Sequence, residues 1–176
     1  MSFEDIFEEV KDVSGWMGVT DCRVVFKYAR DVVGNIVEIG SYAGRSTRVL
    51  ALSSPQSKVY AIEPFVLNKS EEVKREFRRS IKGLNVQHIE GRSEVVGKQW
   101  KEKIDLLFVD GDHGYNQVKK DIRAFVPHLK SGCYALFHDY TTNGDGYGVK
   151  EAIDKVGDKY FSLVSVEGGV ACCKKI

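Results

Sequence analysis

The sequence predicts an α/β domain built on a mostly parallel sheet with helices on both faces. From residue 35 onward, short apolar runs alternate with stretches of helical period, which is typical of a parallel sheet covered on both sides. The last two apolar runs, 161–166 and 170–173, are separated only by residues 167–169. This hairpin-length connection predicts an antiparallel pair at the end of the sheet. The length of 176 residues fits a single domain spanning 1–176.

Two helices are expected in residues 1–33, ahead of the sheet. The first opens at Ser2, which forms a capping box with Asp5 three residues later. An apolar stripe on this helix consists of Phe3, Ile6, Phe7 and Val10. The second helix is expected to open at Thr20.

Residues 35–176 form the core of the predicted domain. The five candidate strands before the hairpin are 36–39, 58–62, 86–89, 104–109 and 134–137. The clearest helix runs from Tyr115 to Leu129, where apolar side chains recur at helical spacing. Because no internal repeat and no Pro- or Ser-rich linker interrupts the chain, we expect one folding unit.

Composition and charge exclude several classes of protein. The 26 Lys and Arg residues nearly balance the 25 acidic residues, so no global positive field would attract nucleic acid or an anionic membrane. No apolar run approaches the roughly 18 residues of a membrane span. The first residues lack the pattern of a secretory signal, so we expect a cytoplasmic protein with reduced thiols. Its four cysteines show no CxxC or zinc-ribbon spacing and are expected to be small buried residues.

Ligands of open parallel sheets bind beyond the carboxyl ends of the strands. After the first strand, Gly40 and Gly44 are spaced as GxxxG, which is neither the GxGxxG of a dinucleotide site nor a phosphate loop. About twenty residues later the second strand ends at Glu63, whose carboxylate could accept hydrogen bonds from both hydroxyls of a ribose. After the third strand, Arg92 and Ser93 follow, and a small polar residue there could face an adenine edge.

Together, VEIGSYAGRST at 37–47, Glu63, IDLLFVDGDH at 104–113 and the terminal hairpin resemble class I S-adenosylmethionine-dependent methyltransferases. The resemblance covers about residues 20–176. It implies a three-layer, Rossmann-like fold with a seven-stranded sheet and one antiparallel strand in the C-terminal hairpin. The cofactor-binding residues that it implies are Glu38, Gly40, Ser41, Gly44, Ser46, Thr47, Glu63, Arg92, Ser93 and Asp110.

Within that superfamily the sequence is most similar to small cation-dependent O-methyltransferases of the catechol, caffeoyl-coenzyme-A and macrolide-sugar types. This likeness implies a divalent cation, Mg²⁺ or Mn²⁺, held by Asp110, His138 and Asp139. His138 stands where the family usually has a carboxylate, so Fe²⁺ and Zn²⁺ also suit the donor set. His113 occupies the position of the family's catalytic base, which is commonly Lys. The likeness implies that His113 and Asp110 are the catalytic residues. In the alternative interpretation, Asp110 and Asp112 cap the following helix, and His138 and Asp139 stabilise a loop.

The expected reaction is methylation of a hydroxyl group on a small molecule. Trp16, Met17 and the loop 139–148 are placed to cover the site, and the loop could be a mobile lid. RNA or small-molecule N-methylation is an alternative, but the basic residues at 74–82 are interleaved with acids and favour a solvated helix face. A non-catalytic S-adenosylmethionine-binding module is another alternative. We expect a small-molecule partner, no nucleic acid, and a homodimer as one state of assembly.

Overall fold

The computed structural model describes residues 1–66 and 70–176. The helices of at least four residues are α1 (Phe3–Val10), α2 (Val19–Ala29), α3 (Arg45–Ser53), α4 (Ser70–Ser80), α5 (Ser93–Gln99), α6 (Tyr115–Phe125) and α7 (Val149–Ala152). The strands are β1 (Asn35–Ile39), β2 (Lys58–Ile62), β3 (Val86–Ile89), β4 (Ile104–Val109), β5 (Leu129–Phe137), β6 (Phe161–Glu167) and β7 (Val170–Lys175). A short 3₁₀ helix follows α6, and a π-helical turn follows α7.

The seven strands form one sheet in the order β3-β2-β1-β4-β5-β7-β6. Strands β1 to β5 pair in parallel, whereas β7 is antiparallel to both of its neighbours, β5 and β6. The predicted α/β class, Rossmann-like sheet and single antiparallel strand are therefore confirmed. The order reverses at β1, where β2 lies on one side and β4 on the other, so a crevice opens at their carboxyl ends.

The start of α1 is as predicted, and the start of α2 is not. Ser2 and Asp5 form both hydrogen bonds of the capping box. The second helix begins at Val19, with Gly18 as its N-cap, instead of at Thr20. Asp21 sets this boundary, because its carboxylate accepts the backbone N–H of Gly18 at 2.9 Å.

Two further boundaries differ from the sequence prediction. The helix that begins at Tyr115 ends at Phe125 and does not reach Leu129, because Pro127 has no N–H for a helical hydrogen bond. Strand β5 already begins at Leu129, ahead of the predicted residue 134. The polar residues near its start lack the alternation of apolar and polar side chains that identifies a strand in the sequence. Since β6 extends to Glu167, the hairpin turn is shortened to two glycines at 168–169.

Helices cover both faces of the sheet and bury two main apolar clusters. One face packs against α1, α2 and α3, and the other against α5, α6 and α7. Cys172 and Cys173 are adjacent in β7 and point into opposite clusters, as strand geometry requires. Cys22 is buried too, and all four cysteines are free thiols. In the described ranges, no helix combines the length and the apolarity needed to cross a membrane.

Candidate active site

The site lies where β1 and β4 end side by side. Gly40 adopts φ +85°, a left-handed conformation that favours glycine. A Cβ at this position would lie 2.2 Å from the carbonyl oxygen of Asp110 and 2.5 Å from Cα of Gly111. Glycine is therefore required for the turn after β1 to touch the turn after β4. This contact brings the two motifs singled out in the sequence, the GxxxG turn and the DGDH segment, together in space.

Glu63 binds the backbone around the crevice with both carboxylate oxygens. One oxygen accepts the N–H of Tyr42 at 2.9 Å and the other accepts the N–H of Phe65 at 2.7 Å. Tyr42, Phe65 and Asp139 are the non-glycine residues with positive φ in the part of the chain that the structure describes. They follow β1, β2 and β5, so backbone strain is concentrated at the carboxyl ends of the strands, as is common at functional sites.

Glu38 is a fully buried carboxylate in β1, two residues before the glycine turn of residues 40–44. One of its oxygens accepts the hydroxyl of Thr47 at 2.5 Å, while Oε1 has no hydrogen-bond partner. Burial raises the pKa of Glu38 to about 7, although nearby hydroxyls of Ser46, Thr47 and Ser41 lower it in part. The Ser41 hydroxyl is also buried and unpartnered. These free polar atoms are the groups that a bound amino acid moiety with its ammonium could satisfy.

The second half of the site is a cluster of carboxylates and imidazoles after β4 and β5. Asp110, His113 and Asp139 present donor atoms that all lie within 4.8 Å of one another. His113 Nδ1 is 3.2 Å from Asp139 Oδ2. The other oxygen of Asp139 accepts the Thr142 hydroxyl at 2.8 Å. Burial raises the pKa of Asp110, against the opposing effect of the His138 imidazole.

His138 lies between this cluster and the N-terminal part of the chain. Its Nδ1 is 2.8 Å from Asp110 Oδ1 and 3.2 Å from Asp139 Oδ2, and its Nε2 is 3.6 Å from Asp21 Oδ2. Burial lowers the pKa of His138, but Asp110, Asp21 and Asp139 outweigh it and raise the pKa to about 10. His138 in turn lowers the pKa of Asp21 to about 2. Sequence reasoning missed Asp21, since nothing in its local pattern distinguishes it from a helix-capping residue.

A sequence family described as a methyltransferase domain matches residues 37–140. This range covers more than half of the chain and contains the glycine turn, Glu63, Asp110 and Asp139. The chain belongs to this family of methyltransferase domains. The class I methyltransferase resemblance inferred from the sequence is confirmed.

This methyltransferase domain is similar in sequence to a viral protein and in fold to two solved structures described below. It is 30% identical over 127 residues to the uncharacterized protein R132 of Acanthamoeba polyphaga mimivirus, and the match covers 68% of the chain and 58% of R132. The chain thus spans less than two thirds of that relative. Cofactor-bound Rv0187 from MTB superposes with a TM-score of 0.75 at 16% identity, over 98% of this chain and 88% of Rv0187. The O-methyltransferase TomG from Streptomyces achromogenes, solved in complex with SAM, gives 0.72 at 13% identity, over 98% and 88%.

Arg92 and Ser93, the residues predicted to lie near the adenine, have different surroundings in the methyltransferase domain. The Ser93 hydroxyl donates to Asp121 at 2.6 Å, and Gln117 donates to both residues. Burial raises the pKa of Asp121 to about 6. Arg92 is exposed and precedes α5 as its N-cap. The hydroxyl of Ser93 is therefore bonded within the protein, and the predicted contact of Ser93 with an adenine edge stays a prediction.

Aromatic side chains flank the two halves of the site. Trp16 is 76% exposed and packs on Tyr42, with ring centroids 4.7 Å apart. Met17, in contrast, is buried and belongs to the core. Tyr147 stacks on His113 at 5.5 Å, with the ring planes 12° apart. Most residues of the segment 141–147 are exposed, as expected for a covering loop.

The alternative capping interpretation is wrong for both aspartates before α6, because Gly114 is the N-cap and no side chain caps this helix. Asp112 Oδ1 accepts the N–H of Gly114 at 2.8 Å, just ahead of that helix. Asp110 instead faces His138, so it does not serve as a cap. Asp139 combines both interpretations, because one oxygen binds the loop through Thr142 and the other faces the two imidazoles.

Proposed function

We propose that this methyltransferase domain transfers the methyl group of S-adenosylmethionine to a hydroxyl oxygen of a small molecule, with a divalent cation at Asp110, His138 and Asp139. The single observation that carries the proposal is the contact between Gly40 and Asp110. It places the turn that would hold the methionine end of the cofactor directly beside the cluster that would hold the cation. A methyl donor and an oxygen acceptor would then meet at one point.

The residues in and around the glycine turn fit the cofactor. S-adenosylmethionine supplies a methyl group already activated on a positively charged sulfur, so the protein mainly has to align the reactants. Glu38 and Ser41 offer buried, unpartnered oxygen atoms to the methionine end. Glu63, at the end of β2, is held by two backbone N–H groups and keeps lone pairs for the ribose hydroxyls.

The cluster after β4 and β5 fits a divalent cation. Neighbouring donors around an octahedral ion with bonds of 2.1 Å lie about 3.0 Å apart. The donor separations from His138 Nδ1 to Asp110 and to Asp139 are 2.8 and 3.2 Å. His138 Nδ1 is buried without a properly oriented hydrogen bond. The cation would supply Lewis acidity that lowers the pKa of the acceptor hydroxyl.

His113 is the proposed proton acceptor. Its imidazole is one third exposed, so it can reach an acceptor entering from solvent. Asp139 faces Nδ1 and Tyr147 stacks on the ring, which together restrict the ring's orientation. Trp16 and Tyr147 offer exposed aromatic surfaces at the entrance, which suits a small molecule with an apolar portion.

The proposal is tested by measuring S-adenosylhomocysteine formation against a panel of catechols, phenols, sugar hydroxyls, amines and RNA. We expect turnover with a hydroxylated small molecule, loss of turnover in EDTA, and recovery with Mn²⁺ or Mg²⁺. Turnover with amines or RNA only would refute the oxygen assignment. Full activity in EDTA would refute the metal assignment, and the absence of S-adenosylmethionine binding in calorimetry would refute the proposal as a whole.

A further inference from the structure

Asp21 connects three separate parts of the fold. It lies in the first turn of α2, where Oδ2 accepts the N–H of Gly18 at 2.9 Å. Its Oδ1 accepts the N–H of Gly169, in the β6–β7 turn, also at 2.9 Å. The side chain is only 16% exposed. Two backbone donors, one from the start of the same helix and one from the distant β6–β7 turn, thus hold this carboxylate in one position.

The fixed carboxylate faces the outer nitrogen of His138. Oδ2 of Asp21 lies 3.6 Å from Nε2, while the opposite nitrogen, Nδ1, faces Asp110 and Asp139. The hairpin turn closes the remaining side, because a Cβ on Gly169 would lie 3.7 Å from Nε2. The imidazole is therefore enclosed by residues from both ends of the chain, outside the 37–140 segment matched by the family.

This arrangement matters because the two nitrogens of a neutral imidazole have different roles. Without a cation, carboxylates face both nitrogens of His138, at 2.8 and 3.2 Å from Nδ1 and at 3.6 Å from Nε2, and so favour a proton on each. A cation between Asp110 and Asp139 would replace the Nδ1 proton, and Asp21 would then stabilise the remaining proton on Nε2. His138 Nδ1 is buried without an oriented hydrogen bond, although two carboxylate oxygens approach it closely. A cation between those oxygens would satisfy it.

We propose that Asp21 is a positioning residue that orients His138 so that Nδ1, and not Nε2, is offered to a divalent cation held with Asp110 and Asp139. This inference rests on the proposed metal site and adds to it a residue from the N-terminal helix. It predicts that the metal affinity of the domain depends on α2 and on the terminal hairpin as well as on the strand ends.

The test compares Asp21→Ala with Asp5→Ala, a matched control. Asp5 accepts a backbone N–H in the first turn of α1 in the same way, and its carboxylate binds Ser2 instead of facing His138. Binding of Mn²⁺ to the full chain is followed by the electron paramagnetic resonance signal of the free ion. We expect Asp21→Ala to weaken Mn²⁺ binding about 10- to 100-fold, as loss of a partner to a metal-bound histidine typically does. Asp5→Ala should bind Mn²⁺ like wild type.

Two further measurements separate positioning from folding. Asp21→Asn keeps the size of the side chain and one acceptor oxygen, and replaces the other oxygen by an uncharged NH2 group. It therefore serves if Asp21→Ala does not fold, and it should also weaken Mn²⁺ binding. The ¹⁵N shifts of the His138 ring in the Mn²⁺-free protein should change in both Asp21 variants and not in Asp5→Ala. Unchanged Mn²⁺ affinity in the folded Asp21 variants, or an equal loss in Asp5→Ala, would overturn the inference. If wild type binds S-adenosylmethionine but no Mn²⁺, the proposed metal site itself fails.

Discussion

Replacing Gly40 by alanine tests whether the contact between the ends of β1 and β4 holds the site together. Gly40 and Gly83 have nearly the same positive φ, +85° and +80°. A Cβ at position 83 would meet nothing within 4 Å, whereas at position 40 it would lie 2.2 Å from a backbone oxygen. Gly83→Ala is therefore a control that contains the same left-handed strain without the collision.

The expected magnitudes follow from these two contributions. Left-handed backbone costs a residue with a Cβ roughly 1–2 kcal/mol, and both variants should lose this amount. Overpacking costs a further 1–3 kcal/mol, roughly, and only Gly40→Ala should lose it, because the collision is with backbone and not with a flexible side chain. We expect the free energy of unfolding to fall by about 2–5 kcal/mol in Gly40→Ala and by about 1–2 kcal/mol in Gly83→Ala.

Equilibrium unfolding in urea measures both losses, provided that the slope with denaturant is unchanged. Calorimetry with S-adenosylmethionine adds a second measurement. The affinity for S-adenosylmethionine should fall in Gly40→Ala, because the turns that follow β1 and β4 must separate. It should be unchanged in Gly83→Ala. Equal stability losses in the two variants, together with wild-type affinity in both, would refute the close approach of the two turns.

Three other substitutions test the charged residues of the site. The pKa of Glu38 is about 7 in the folded protein against 4.5 when exposed, so the folded state binds the proton more tightly, and Glu38 should contribute a fall in stability of about 3 kcal/mol as pH rises from 4.5 to 7. The raised pKa of Asp121 adds a decline of its own, so Glu38→Gln should lack only the Glu38 share in a pH series of urea unfolding, and identical profiles would contradict it. Glu63→Ala should weaken S-adenosylmethionine binding by about 1.5–3 kcal/mol in calorimetry, and unchanged affinity would exclude the ribose role. His113→Ala should lower turnover about 10²–10⁴-fold without changing cofactor affinity. Mn²⁺ binding by the same variant shows whether the loss comes from proton transfer or from metal binding. An equally small loss with weakly and strongly acidic hydroxyls would show that His113 is not the base.

The sequence alone determined the fold class, the number of strands and the positions of most strand ends. Apolar runs of strand length are local features, and parallel strands need crossover helices, so their alternation is readable without coordinates. The sequence was less informative at boundaries where a polar stretch continues a strand, as at the start of β5. The cytoplasmic location, the assembly into a homodimer and the small-molecule acceptor stay predictions.

The tertiary structure decided which of the candidate residues lie together. Glu38, Glu63, Asp110 and Asp139 could be placed at strand ends from the sequence, because hydrophobic period fixes where a strand stops. The position of Asp21 beside His138 could not, since it depends on how α2 and the terminal hairpin pack against the sheet. Likewise, the hydroxyl of Ser93 is directed to Asp121 by the packing of α5 on α6. Contacts between residues far apart in the chain arise from the packing of whole elements, and no local pattern encodes them.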